Sequence, residues 1–245
     1  MKQAAESIKG LFPITPLAPP DIDPAIPDYL EKIYWWAYLH PAGVRFFERE
    51  WLVNLILWGN FRRLRDWVLA ELGEPIERKV LQAACVYGDF TEKIAGRLGR
   101  KGSLDVVDVA PIQLANLRAK LPADSPVRLH HQDASQLHFT DASFDAVVLF
   151  FLLHEQPEAV RLATLAEALR VTRPGGSIVI VDYHDPHRSN PLRYVMSLIL
   201  RRLEPFATDL WRNEIAAYLP ASPSPSGMVK ETYFGGLYQK VVVMR

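Results

Sequence analysis

The 245-residue sequence contains a single cysteine, Cys85, and no excess charge of either sign, since Lys and Arg total 28 and so do Asp and Glu. One cysteine excludes an intramolecular disulfide and a Cys-x-x-Cys metal site, and it suits a reducing compartment. Without a net basic charge, nucleic acid is not an expected partner.

Long hydrophobic runs are also missing. The first ten residues have no apolar stretch typical of a secretory signal, and WLVNLILW is much shorter than the roughly 20 residues that a spanning helix needs. We therefore expect a protein that is soluble or peripheral to a membrane. The length favours one α/β domain with added elements.

Proline is concentrated near the beginning of the chain. Residues 11–30 contain six prolines, which predict an extended arm. Helical patterning follows, with a break at Pro41. Beyond that break, aromatic and aliphatic residues recur at steps of about three or four: Phe46, Phe47, Trp51, Leu55 and Trp58.

From Glu77 onward, strand-like runs alternate with amphipathic helices. The five runs are RKVLQAAC, GSLDVVDV, VRLHHQD, FDAVVLFFLL and GGSIVIVDY. This alternation predicts parallel strands with right-handed crossovers, and therefore a doubly wound α/β sheet. After the sheet we expect two helices and then a hairpin around Gly235 and Gly236.

In such a sheet, ligands bind outside the carboxyl ends of the strands. Asp108 ends the second run, where an acid accepts hydrogen bonds from a ribose diol; alternatively it caps the helix that begins at Pro111. Asp133 follows the third run and suits an adenine amino group; alternatively it caps a turn or helix.

Five segments occur in a characteristic order: VLQAACVYGDFT, LDVVDVAPIQL, HHQDASQLHFTDASFDAVVLFFLLHE, RVTRPGGSIVIVDY and YFGGLYQKVVV. In these segments the chain resembles the class I S-adenosylmethionine-dependent methyltransferases, especially the quinone-biosynthesis branch. The resemblance covers about residues 77–184 and 228–245. It implies a Rossmann-like, mostly parallel sheet with an antiparallel C-terminal hairpin.

The same resemblance implies the cofactor and the organisation of the chain. S-adenosylmethionine would be held by Gln82, Ala84, Tyr87, Gly88, Asp108, Val109, Asp133 and Ala134. Residues 1–76 would form an arm and helices that cover the active site. Residues 77–245 would form the cofactor-binding domain, with residues 186–220 as a helical insertion for substrate or membrane.

The loop after the first strand departs from that family's pattern. Gln82 stands in place of an acid, and Ala84 and Val86 stand in place of glycines. Glycine allows close approach of the backbone and a positive φ, and valine allows neither. Either the loop is degenerate, in a working methyltransferase or a non-catalytic binding protein, or it holds the amino-acid end of the cofactor for different chemistry.

The segments YWWAYLHP, EREWLVNLILWGNF, FFLLHEQP and DYHDPHR extend the resemblance. With them, nearly the whole chain is similar to the enzymes of rhodoquinone biosynthesis. That similarity implies that a methoxy group of ubiquinone is replaced by an amino group, with S-adenosylmethionine as the amino donor and Mn²⁺ as the metal. An ordinary quinone methyltransferase and a non-catalytic quinone or cofactor sensor are the alternatives.

Amination of a quinone requires a deprotonated amine and stabilisation of charge on the quinone oxygen, which a divalent metal can supply. Manganese favours carboxylate, water and imidazole ligands. We predict Asp182, His154 and His184 as metal ligands, and Tyr87, His154 and His184 as catalytic residues. The alternatives are packing for Tyr87, substrate orientation or core packing for His154, and a polar cover at the end of strand five.

Ubiquinone has a long isoprenoid tail, so an enzyme that uses it must approach a membrane. NPLRYVMSLILRRLEPF predicts a helix with an apolar face and basic edges, which fits either an interfacial helix or a helix packed on the core. The tryptophan-rich arm is either a second contact with lipid or a lid. We expect a peripheral protein on the cytoplasmic face of a bacterial inner membrane, or on the mitochondrial inner membrane in a eukaryote.

Overall fold

A computed structural model describes residues 24–245. Most of the predicted proline-rich arm lies outside these described residues. Seven strands form one sheet: β1 Lys79–Ala83, β2 Ser103–Asp108, β3 Arg128–His131, β4 Phe144–Phe150, β5 Thr172–Tyr183, β6 Gly227–Tyr233 and β7 Tyr238–Met244. Their order across the sheet is β3-β2-β1-β4-β5-β7-β6.

The first five strands are parallel and β7 runs antiparallel to β5, as the sequence predicts. The turn between β6 and β7 contains Gly235 and Gly236, both at positive φ (64° and 84°), where glycine has no Cβ to clash. The predicted hairpin is therefore confirmed. Because the chain order reverses between β1 and β4, the carboxyl ends of these two strands define the switch point.

The helices cover both faces of the sheet and its carboxyl edge. They are α1 Trp35–Tyr38, α2 Pro41–Phe47, α3 Glu50–Ile56, α4 Phe61–Leu72, α5 Phe90–Ala95, α6 Pro111–Lys120, α7 Glu158–Val171, α8 Leu192–Leu203 and α9 Asp209–Arg212. A short 3₁₀ turn, Leu153–Glu155, follows β4, and another, Ile215–Tyr218, follows α9. No helix within residues 24–245 is long and apolar enough to cross a bilayer.

The helical region before the sheet is more broken than the sequence predicts. The aromatic repeat from Phe46 to Trp58 does not form one helix, because α2 and α3 are separate and the chain reverses after α3. At that reversal Trp58 and Gly59 adopt left-handed backbone angles (φ 53° and 78°). The Asn54 carboxamide oxygen then accepts a hydrogen bond from the Phe61 N–H at the start of α4.

Alternate residues of the strands pack into two hydrophobic cores, one on each face of the sheet. One core lies between the sheet and α4, α5, α6 and α8, and it contains Val80, Val106 and Val148. The opposite core lies under α7 and contains Leu81 and Val147. Because both faces are covered, the central strands are apolar throughout rather than alternating with polar residues.

Arg161, on α7, is fully buried and ties together the backbone beside the carboxyl edge of β4. Its guanidinium donates hydrogen bonds to the carbonyl oxygens of Leu153, Gln156 and Phe206 at 2.9–3.1 Å. The same group lies 4.8 Å from the ring centroid of Tyr218. Arg161 thus fixes both ends of the turn that follows β4.

Replacing Arg161 by Met should lower the free energy of unfolding by roughly 3 kcal/mol or more, because buried carbonyl groups lose their donors. Urea denaturation measures the change. The matched control is Arg118→Met at an exposed position of α6, where we expect a change within about 0.5 kcal/mol. Equal stability of the two variants would contradict this role for Arg161.

Candidate functional site

A cavity of about 590 Å³ opens at the carboxyl edge of the sheet. Its floor is made by residues that follow β1, β2, β3 and β4, and its roof by α1, α3 and α8. The lining is mostly aliphatic and aromatic, with a few polar groups, which is typical of a small-molecule site. The volume lies in the range of about 300–1,000 Å³ that ligand pockets occupy.

Asp108 marks one end of this cavity. Its carboxylate accepts hydrogen bonds from the backbone N–H groups of Cys85 and Ala110, each at 2.8 Å. Burial raises the pKa of Asp108 to about 6, even though these two donors favour the charged form. At neutral pH the side chain is therefore a buried carboxylate with lone pairs left for a ligand's hydroxyl groups.

Asp133 and its neighbours extend the same end of the site. Val109, Asp133 and Ala134 all line the cavity. One oxygen of Asp133, Oδ1, accepts hydrogen bonds from the N–H and the hydroxyl of Ser135. Asp133 therefore caps a turn and lines the cavity at once, so the two interpretations offered by the sequence are compatible.

The loop after β1 has an unusual conformation. Ala84 lines the cavity with φ at +73°, a left-handed angle that normally favours glycine. Gln82 does not reach the cavity, because its amide donates to the Ala84 carbonyl and accepts from the Thr91 hydroxyl inside the core. Gln82 was predicted to contact the cofactor, but it does not line the cavity and instead stabilises the loop through these two hydrogen bonds.

Gly88, like Gln82, is not among the residues that line the cavity. Its N–H donates to the Glu48 carboxylate at 3.2 Å, and its carbonyl accepts from the Lys120 ammonium at 2.7 Å. Glu48 and Lys120 are themselves paired at 2.6 Å. In place of the predicted cofactor contact, Gly88 contacts Glu48, which directly follows α2, and Lys120, the last residue of α6.

Tyr87 forms part of the cavity wall. Its ring stacks on Tyr38 with centroids 5.8 Å apart. Its hydroxyl donates to the Ala37 carbonyl and accepts from the Gln113 amide, both at 2.7 Å. Because these contacts occupy the hydroxyl and burial raises its pKa, the geometry favours a wall over a proton relay.

His154 and Asp182 form a buried pair beside the cavity. His154 Nδ1 lies 2.9 Å from Asp182 Oδ1, and His154 lines the cavity. Asp182 is fully buried and accepts backbone N–H groups from Leu153 and Tyr183. Burial of the ring opposes protonation, but the carboxylates of Asp182, Glu204 and Glu155 together outweigh it and raise the pKa of His154 to about 9.

Further polar side chains surround His154. Glu155 accepts a hydrogen bond from the Tyr38 hydroxyl, and its Oε1 lies 3.8 Å from His154 Nε2. Burial raises the pKa of Glu155 and that of Glu204, although the nearby His154 opposes the rise in both. Tyr34 is 1% exposed, lines the cavity, and makes no hydrogen bond through its hydroxyl within the described residues.

Three of these residues were missed by the sequence analysis. Tyr34 and Tyr38 come from the arm, and Glu204 follows α8, so nothing in their local pattern places them beside His154. The only available signal was the density of aromatic residues in residues 29–38. We refer to Tyr34, Tyr38, His154, Glu155 and Glu204 as the polar wall.

The three predicted metal ligands do not form one site, because His184 lies apart from the His154–Asp182 pair. Asp182 pairs with His154 and accepts hydrogen bonds from backbone N–H groups, while His184 does not line the cavity. His184 Nδ1 contacts the Gly236 carbonyl at 2.8 Å, and its Nε2 lies 2.9 Å from the Lys230 ammonium. Among residues 24–245, no group of three His, Cys, Asp or Glu side chains is arranged to hold a metal ion. The residues therefore do not fit the predicted manganese site, and His184 is not a catalytic candidate.

Residues 80–176 match the family model described as "Methyltransferase domain". This segment is similar to methyltransferase domains over that range. A demethylmenaquinone methyltransferase from Staphylococcus aureus (strain MRSA252) is 31% identical over 135 residues, which make up 55% of this chain and 55% of that protein. The match thus spans about half the length of the curated relative.

Solved structures share the fold across most of the chain. The PH0226 protein from Pyrococcus horikoshii OT3 has a TM-score of 0.58 and 16% identity, covering 90% of this chain and 99% of that chain. A SAM dependent methyltransferase from Aquifex aeolicus has a TM-score of 0.51 and 18% identity, covering 83% and 97%. The predicted class I methyltransferase fold is confirmed.

Asp108→Asn keeps the side-chain shape but removes the charge, so it should weaken S-adenosylmethionine binding by about 1.5–3 kcal/mol. Isothermal titration calorimetry measures the loss, with the exposed Asp124→Asn as the control. Because the pKa of Asp108 is about 6, affinity of the unaltered protein should fall as the pH drops through that value. Unchanged affinity in Asp108→Asn would show that Asp108 does not bind the ribose of the cofactor.

Proposed function

We propose that this protein is an S-adenosylmethionine-dependent transferase that acts on a quinone. The observation that carries the proposal is one cavity lined both by Asp108 and Asp133 and by the polar wall. Asp108 and Asp133 would bind the ribose and adenine of the cofactor, as in the family that the sequence resembles. The apolar middle of the cavity suits a hydrophobic ring, and the curated relative acts on demethylmenaquinone by its name.

We further propose that the reaction is amination, with S-adenosylmethionine as the amino donor and ubiquinone as the acceptor. This is the reaction implied by the resemblance to rhodoquinone biosynthesis enzymes of the RquA type. Support comes from the loop after β1, where Gln82 is engaged in the core and the Gly88 N–H is engaged by Glu48. Neither group is available to fix the amino-acid end of the cofactor, which leaves its amine free to react.

The chemical balance of this reaction is defined. The amine forms a bond to the ring carbon that bears the methoxy group, and methoxide leaves with a proton as methanol. The nitrogen is then released from the donor when the two electrons of the donor's α-C–H bond pass to the quinone ring. Water completes the cleavage, so the products are an aminohydroquinone and a 2-oxo acid.

The polar wall supplies what this chemistry requires. In this proposal a protonated His154, held by Asp182, donates to a quinone oxygen and stabilises the negative charge that develops there; its pairing with Asp182 and its position in the cavity lining support this role. Carboxylates with raised pKa values are stronger bases, so Glu155 or Glu204 suits removal of the amine proton. The same carboxyl group can then protonate the departing methoxide.

The roof of the cavity is where we propose contact with the membrane. Its exposed apolar side chains belong to α1–α3 and to the turn that follows: Trp35, Trp36, Phe46, Trp51, Leu55, Ile56 and Trp58. Several of them also line the cavity, so an isoprenoid tail can pass from lipid to the site along apolar surface. We propose a peripheral location at the cytoplasmic face of a bacterial inner membrane, or at the mitochondrial inner membrane in a eukaryote.

An ordinary quinone methyltransferase is the second candidate, and the identity to a demethylmenaquinone methyltransferase favours it. S-adenosylmethionine labelled with ¹⁵N at the amino group separates the two reactions in a mass-spectrometric assay with ubiquinone. Amination predicts a ¹⁵N-labelled aminohydroquinone and released methanol. Release of S-adenosylhomocysteine with a methylated quinone would establish the methyltransferase, and binding without turnover would indicate a sensor.

The role of His154 is tested by the pH dependence of turnover. The rate should fall as the pH rises through about 9, where His154 loses its proton. Asp182→Asn removes the carboxylate that raises this pKa, so the fall should move to lower pH while cofactor affinity is retained. Asp124→Asn is the control. If the fall in rate at high pH stayed at the same pH in Asp182→Asn, protonated His154 would not be required for turnover.

A further inference from the structure

A second, smaller pocket of about 260 Å³ lies on the outer side of α8, away from the lining of the large cavity. It is formed by α8, by the segment before it, and by the chain at and before α9. We call it the arginine groove. Its lining residues are Asp185, Arg193, Ser197, Arg201, Thr208, Trp211 and Arg212.

The arginine groove is built on one stripe of α8. Arg193, Ser197 and Arg201 are spaced four residues apart, so they lie on the same side of the helix. Arg193 is held in place by Asp185 at 2.5 Å and lies over the Trp211 ring at 5.8 Å. The Arg201 Nε donates to the Ser197 carbonyl at 3.0 Å, which orients its guanidinium.

The charge of the arginine groove is not balanced from within. Three arginines line it against the single carboxylate of Asp185, which already pairs with Arg193. Arg212 has a side chain that is 75% exposed and lies 3.9 Å from Asp209, a loose pair. Trp211 adds a buried indole N–H that has no hydrogen-bond partner among the described residues.

Guanidinium, indole and hydroxyl groups together offer many donors and few acceptors. That composition fits an anion with several acceptor oxygens, and a phosphate group has this geometry. A quinone has no such charge. The arginine groove therefore differs in chemistry from the large cavity and would take a different ligand.

The surroundings of the arginine groove identify the source of the phosphate. Beside the basic stripe on α8 lie Tyr194 and Leu198, which are 74% and 55% exposed. Farther around the helix, Ile199 and Leu203 line the large cavity. A basic pocket next to an exposed apolar stripe is the arrangement of a helix that lies in the plane of a lipid surface.

We propose that the arginine groove binds the phosphate of an anionic phospholipid headgroup and so orients α8 and the mouth of the large cavity against the membrane. The inference rests on the proposed membrane contact but not on the reaction that the cavity carries out. Arg193, Arg201 and Arg212 supply the positive charge, Trp211 supplies an indole N–H donor, and Tyr194 and Leu198 contact the acyl region.

Vesicle co-sedimentation, without S-adenosylmethionine or quinone, tests this proposal independently of catalysis. The vesicles contain phosphatidylcholine alone or equal parts of phosphatidylcholine and phosphatidylglycerol. The double variant Arg201→Ala/Arg212→Ala should lose binding to anionic vesicles by about fivefold for each arginine, or roughly 25-fold for the pair. Binding to phosphatidylcholine should change little.

The matched control is Arg100→Ala/Arg118→Ala, which removes the same charge from exposed positions outside the arginine groove. An equal loss in both double variants would overturn the proposal, because net charge alone would then account for binding. Trp211→Phe keeps the aromatic packing and removes the indole donor, so it should give a smaller loss that is specific to anionic vesicles. Strong binding of inorganic phosphate without preference for anionic vesicles would also overturn the lipid assignment.

Discussion

The buried pair of His154 and Asp182 is the interaction on which the candidate site depends. Asp182 is fully buried near the carboxyl end of β5 and accepts hydrogen bonds from backbone N–H groups of the turn after β4. Its Oδ1 atom also lies 2.9 Å from Nδ1 of the His154 ring. One carboxylate therefore joins two neighbouring strands and sets the protonation of the histidine. Because it is desolvated, losing either partner would leave an uncompensated charge in the core.

The roof of the cavity depends on a different set of polar contacts. Glu48 engages the Gly88 N–H and Lys120, and the Tyr38 hydroxyl reaches Glu155. The region before the sheet is thus attached both to the loop after β1 and to the polar wall. Enclosure by this roof explains why aromatic residues from the arm, rather than strand residues alone, determine the chemistry of the cavity.

The sheet and its hairpin were predictable because short apolar runs, glycine turns and strand–helix alternation are local signals. The positions of Asp108 and Asp133 beside the cavity were predictable for the same reason, since Asp108 ends β2 and Asp133 lies two residues after β3. The polar wall was not, because Tyr34 and Glu204 meet His154 only through tertiary packing. The metal prediction failed because His184, two residues after Asp182, is drawn to Gly236 and Lys230 of the hairpin, which no local pattern reveals.

We propose that the cofactor presents its amine, rather than its methyl group, to the quinone. A crystal structure with S-adenosylmethionine and a ubiquinone analogue is the decisive test. We expect the amine nitrogen at about 3–3.5 Å from the ring carbon that bears the methoxy group, with a quinone oxygen beside His154. A sulfonium methyl group aimed at the ring, with the amine bound by the loop after β1, would contradict it.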